Sequence, residues 1–165
     1  NELNKYNIYN SKSENLQSLS SGVKYDESDG KFIGNHQGAY YYTKGQRKGL
    51  GIGGYEKPLF VIDTDVENNI VFVGEGDDHP GLLRKVLFVA SFDEHWLRSD
   101  LSLAIGEQLK IKARIRYRQP LQNAILIKTI EGVYVEFDEY QSAITEGQFV
   151  AWYVNNELLG SGVIS

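Results

Sequence analysis

From Lys31 onward, hydrophobic and polar positions alternate in short runs cut by Gly, Asn and Asp, the mark of strands rather than helices. KFIG, AYYYT, PLFVIDTD and NIVFVGEG come first, and Asn68-Asn69 between Val66 and Ile70 reads as a hairpin tip. GDDHPG (Gly76–Gly81) is a dense turn signal, which places a domain boundary near residue 82. KVLFVASF, EQLKIKARIRYRQ, NAILIKTI, GVYVEFDE, GQFVAWYV and ELLGSGVI follow at strand length. Glu131-Gly132, Glu146-Gly147 and Asn155-Asn156 serve as turns between them. About six short strands in such a span predict a small closed barrel or sandwich. The expected architecture is therefore mainly β: a poorly patterned tail over 1–24, a small β-rich domain over 25–82 and a six-stranded-type β-barrel over 83–165. A short helix is expected around Glu14–Leu19.

Composition narrows the class. Hydrophobic residues make up 41% and charged residues 24%, the balance of a folded globular chain. The net charge of −5 excludes indiscriminate coating of nucleic acid, so any such contact must come from a local patch. No cysteine is present, which removes a thiolate nucleophile, a disulfide framework and Cys-ligated zinc from these 165 residues. The polar first residues do not form an apolar signal segment, and no apolar run approaches membrane-spanning length, so no membrane role is expected. The absence of Met, including at position 1, suggests a chain taken from a longer reading frame.

The most informative stretch is Lys110 to Arg118. Lys110, Lys112, Arg114, Arg116 and Arg118 alternate with Ile111, Ala113, Ile115 and Tyr117. On one strand all five cations would share a face, a stripe of roughly 26 Å at about 3.3 Å per residue. Such a stripe can meet several phosphates. The competing reading is a solvated face cancelled by Glu136 and Asp138 of VYVEFDE across a strand pair. The pattern leaves both open.

Other constellations resolve into structure. GQRKGLGIGG (Gly45–Gly54) formally contains G-x-G-x-x-G, but Lys57-Pro58 and strand-like LFVID follow where a dinucleotide site needs a helix. A loop whose glycines let another surface approach the backbone fits better. Ser20-Ser21-Gly22-Val23-Lys24 lacks the second glycine and the acid of a nucleotide loop. Asp77, Asp78 and His79 read as a turn before Pro80-Gly81, His36 and His95 as structural residues, and Trp96 and Trp152 as core aromatics. No metal site, cofactor site or catalytic constellation is expected in this chain.

Six segments together resemble the tRNA-specific 2-thiouridylases: HQGAYYYTKGQRKGLGIGG (36–54), PLFVIDTDVENNIVFVGEGDDHPGL (58–82), HWL (95–97), KARIRYRQP (112–120), FDEYQSAITEGQFVAWY (137–153) and GSGVIS (160–165). The resemblance implies the central and C-terminal domains of enzymes whose N-terminal ATP-pyrophosphatase-type domain adenylates the wobble uridine and passes it sulfur from a cysteine persulfide. It also implies tRNA contacts at Arg116, Tyr117 and Gln148, with Lys112, Arg114 and Arg118 as further candidate phosphate contacts. Glu146 stands where many members carry Pro. The implied partners are tRNAs for Lys, Glu and Gln, a sulfur-donor or relay protein and the catalytic domain, in the cytoplasm. ATP would belong to the parent enzyme, and this chain alone would be inactive. The alternative is a structural or protein-interaction domain that braces the catalytic domain or docks the relay partner.

Overall fold

The computed structural model describes residues 15–165, so the first fourteen residues of the expected tail lie outside it, as does Glu14 of the expected helix. Residues 15–20 are helical. The architecture is mainly β, with a two-stranded sheet and a seven-stranded sheet that curls toward a barrel. Two compact units result. Gly22–Arg84 with Gln141–Ile144 forms one, and residues 15–21 with Lys85–Tyr140 and Thr145–Ser165 form the other.

The first unit is built on the hairpin of β1 (Leu59–Asp65) and β2 (Ile70–Glu75). Asp65 pairs with Ile70, and the loop between them closes when the Asp65 carboxylate accepts from the Asn68 amide at 2.9 Å. Asn69 takes the left-handed conformation at φ 58°, which Asn tolerates better than most residues. A bulge between Val61 and Asp63 breaks the alternation, so consecutive Val61 and Ile62 are both buried. The other edge of β1 is met by the preceding loop: Gly45 donates to the Val61 carbonyl at 2.7 Å, and Val61 donates to that of Gln46 at 2.9 Å. Ala39, Leu82 and Ile144 are also buried in this unit.

In the second unit the strand order is β3-β7-β6-β5-β8-β9-β4. The strands are β3 (Leu83–Ala90), β4 (Glu94–Trp96), β5 (Gln108–Arg114), β6 (Gln122–Lys128), β7 (Gly132–Ser142), β8 (Phe149–Val154) and β9 (Glu157–Val163). β5, β6 and β7 form a meander and β8 returns beside β5, the order of a Greek key. The count is seven against the six expected, because three-residue β4 adds an edge on β9. β8 and β9 join through Asn155-Asn156 at φ 49° and 66°, the two positive values that a tight type I′ hairpin turn requires.

The inner face carries Leu87, Val89, Ala113, Leu126, Val133, Val135, Phe137, Val150, Trp152 and Leu159, all fully or almost fully buried. Curling brings strands that are remote in the order into contact. Ser165, just past β9, donates to the Phe88 carbonyl of β3 at 3.1 Å. A Cβ on Gly162 of β9 would stand 2.3 Å from a γ-carbon of Val89 in β3, so only glycine allows that approach. The other face of β3, β7 and β6 is covered in part by Leu16, which clusters with Val86, Tyr134 and Ile127. That burial explains why residues 15–20 pack on this sheet: Leu16 has an apolar face to cover.

Candidate nucleic-acid interface

β5 keeps its alternation only to Arg114. Lys110 and Lys112 are exposed and Arg114 half-buried on one face, while Ile111 and Ala113 are buried on the other. Arg116 and Arg118 are not on that strand, which corrects the expected five-cation stripe. Residues 115–119 form a turn. Gln119 closes it twice: its amide donates to the Arg116 carbonyl at 3.1 Å, and its side-chain oxygen accepts from the Ile115 amide at 3.0 Å. Pro120 follows, and it cannot donate to a continued ladder.

The turn concentrates polar and aromatic groups at its tip. Arg116, Tyr117 and Arg118 are exposed, Tyr117 to 86%. Arg114 organises them from below. Its guanidinium donates to the Tyr117 carbonyl and to the Tyr153 hydroxyl, both at 3.0 Å, and lies 5.4 Å from the centre of each tyrosine ring. Tyr153 belongs to β8, which pairs with β5 through Lys112–Tyr153, Ala113–Trp152 and Arg114–Ala151. Sequence reasoning missed Tyr153. The usable signal was the alternation of FVAWYV, in which Val150 and Trp152 turn inward while Phe149 and Tyr153 do not.

Gln148 stands immediately before β8, beyond the same Arg114–Ala151 end of the ladder from which the Arg116–Tyr117 turn departs. Its side-chain oxygen accepts from the Thr145 amide at 3.2 Å, spanning the turn in which Gly147 has φ 82°. All six expected contact residues thus belong to the second unit. Arg116, Tyr117 and Arg118 share one turn, Gln148 precedes β8 beyond the same end of the β5–β8 ladder, and Lys112 and Arg114 lead up to the turn along β5.

The competing reading, charge cancellation by Glu136 and Asp138, does not occur by cross-strand pairing with β5. Glu136 sits opposite Ile125 of β6, and Ile125 sits opposite Lys110, so a whole strand intervenes. Two strand spacings put about 10 Å between their backbones, so these residues are not direct cross-strand neighbours. Ion pairs among the described residues join Lys57–Asp78, Arg98–Asp100, Arg98–Glu157 and Lys128–Glu94, and these involve none of Lys110, Lys112, Arg114 or Arg118.

The remaining sequence candidates occupy structural positions. His79 accepts from the Gly81 amide at 3.0 Å, and Asp78 pairs with Lys57. His36 accepts from the Gly38 amide at 3.1 Å and packs edge-on to Tyr42. Trp152 is fully buried against Trp96, their ring centres 5.5 Å apart.

Comparison with known proteins agrees with this architecture. A family model described as the tRNA methyl transferase PRC-barrel domain matches residues 13–75, and one described as the aminomethyltransferase β-barrel domain matches residues 88–164. A tRNA-specific 2-thiouridylase of Christiangramia forsetii is 60% identical over 95% of this chain and 40% of its own length. That of Flavobacterium johnsoniae is 58% identical over 92% of this chain and 38% of its own. A more distant one from Pseudomonas aeruginosa is 39% identical over 84% and 37%. The chain belongs to the tRNA-specific 2-thiouridylase family.

The match falls on the central and C-terminal part of these thiouridylases, and the chain spans about two fifths of their length. Within this thiouridylase segment, the glycine-rich loop of the first unit is a second feature of note. It borders a cleft of about 560 Å³ lined by Arg47, the glycines from Gly49 to Gly54 and Glu56. No helix begins there, and Leu59 opens β1, so the dinucleotide reading has no structural basis. No helix among the described residues is long and apolar enough to cross a membrane.

Proposed function

We propose that this region holds tRNA for an ATP-dependent tRNA 2-thiouridylase while another part of the polypeptide places sulfur on the wobble uridine. The observation that carries the reading is the Arg114 guanidinium held between Tyr117 and Tyr153, at the root of a turn that presents Arg116 and Tyr117 to solvent. Arg116 supplies an exposed cation for phosphate. Tyr117 supplies an exposed ring on which an unpaired base can stack. Gln148 keeps carboxamide donors for a base edge or phosphate. Lys112 and Arg118 extend the positive field, and Arg114 sets the geometry. The local character of this patch reconciles RNA binding with a net charge of −5.

In this reading ATP and the sulfur donor bind elsewhere, and these residues alone carry out no thiolation. The substrates are the tRNAs for Lys, Glu and Gln, in the cytoplasm, and a sulfur-relay protein serves the catalytic domain. The test is tRNA affinity of the complete protein across a salt series, with Arg116→Ala against the unaltered protein. Loss of one phosphate contact is expected to weaken binding and lower the salt slope by about 1. Unchanged affinity and slope, with a sulfur-relay protein retained instead of tRNA, would favour a protein-docking role.

A further inference from the structure

The Gly45–Gly54 loop is the motif that this grip leaves unused. Gly45, Gly49, Gly51 and Gly54 have φ between 66° and 90°, so their glycines are required by the backbone. Gly53 differs. Its φ lies outside the left-handed range, and a Cβ built on it meets nothing within 4 Å. Neither conformation nor packing within the described residues explains a glycine there. Gly51 and Gly54 likewise face open space. The loop therefore exposes bare backbone along the cleft rather than filling it.

Charge identifies what can approach. Arg47 and Lys48 are both exposed at the start of the loop, and their side chains have no hydrogen-bond or ion-pair partner among the described residues. Lys57, also in the lining, is held by Asp78 at 3.2 Å, and Glu56 is the acid there. Half-buried Lys44 lies just before the loop. Burial and then Arg84 push it below the ordinary lysine range, and Asp63 partly offsets them. Two unpaired cations and a side-chain-free backbone match a sugar-phosphate chain. They cannot read bases, because the glycines carry no side chains to do so.

We propose that the Gly45–Gly54 loop is a second RNA contact, seating a stretch of phosphodiester backbone against Gly51–Gly54 with Arg47 and Lys48 neutralising its phosphates. This rests on the proposed tRNA-holding role and extends it to the first unit. The experiment compares Arg47→Ala/Lys48→Ala, Gly53→Ala and Arg116→Ala in the complete protein. It measures tRNA affinity against salt, with thermal unfolding alongside. The double variant is expected to lower the salt slope by about 2, each phosphate contributing about 0.9. Gly53→Ala is expected to weaken tRNA binding several-fold while its unfolding temperature is unchanged, since its methyl group has room in the free protein. If Arg116→Ala weakens binding but the two loop variants bind as the unaltered protein does, the loop contact is overturned and the tRNA-holding role stands. If none of the three alters binding, both fail. A loop that instead packs against protein would show lowered unfolding temperatures at an unchanged salt slope, and that too overturns the proposal.

Discussion

Arg114 donates to the Tyr153 hydroxyl at 3.0 Å, and its guanidinium carbon stands 5.4 Å from the centre of that same ring. A flat, forked cation can make both contacts at once and reach the Tyr117 carbonyl as well, which a lysine ammonium cannot. Arg114 therefore acts mainly through Tyr117 rather than as a free phosphate ligand. Arg114→Lys keeps the charge and loses the fork. It should weaken tRNA binding nearly as much as Arg114→Ala, at a stability cost of about 1 kcal/mol. Tyr153→Phe keeps the ring and removes one bond, so a smaller loss is expected. If Arg114→Lys binds tRNA normally, charge alone matters and the stack is incidental.

Gln148 has two separable jobs. Its side-chain oxygen accepts from the Thr145 amide at 3.2 Å and braces the turn, while its amide nitrogen supplies donors. Gln148→Glu retains the acceptor and removes the donors. Its stability should stay within about 0.5 kcal/mol of the parent while tRNA affinity falls, the added negative charge reinforcing the loss. Gln148→Ala should lose both, with about 1 kcal/mol of stability lost with the turn bond. Urea denaturation and tRNA titration of the pair separate the roles. Normal affinity in Gln148→Glu would reduce this residue to a turn brace.

What the sequence makes legible follows period-two physics. Val150 and Trp152 point inward and Phe149 outward, as FVAWYV reads, and Asn155-Asn156 turns the chain where two positive φ values are needed. The end of β5 was not legible, because KARIRYR alternates straight through it. The strand stops when the Gln119 side chain bonds back to Ile115, a contact without any periodic trace. Strand order was equally hidden. VYVEFDE suits a neighbour of β5 by pattern, yet the Greek key puts β6 between them and gives β8 to the other edge of β5. That one fact removes the expected partner of the cations and supplies Tyr153. The proposed contact residues come from family resemblance, whereas no periodic pattern joins Arg114 to Tyr117 and Tyr153.

Stability of the barrel-type unit should hinge on Lys128 and Glu94, an ion pair that leaves only 17% and 6% of the two side chains accessible. Glu94 also accepts from the Trp96 indole nitrogen at 3.2 Å, so its carboxylate is held from two sides. β4 is three residues long and is an edge strand on β9, which makes this pair a principal tie between it and β6. Removing one partner of such a pair leaves a charge buried without compensation, at a cost of about 3–5 kcal/mol. Lys128→Ala should therefore shift the urea midpoint far more than Arg98→Ala, whose partners Asp100 and Glu157 are well exposed. Lys128→Met with Glu94→Gln removes both charges, keeps an acceptor for Trp96 and should recover most of the loss. A double-mutant cycle giving a coupling below about 1 kcal/mol would instead place the pair among ordinary surface ion pairs.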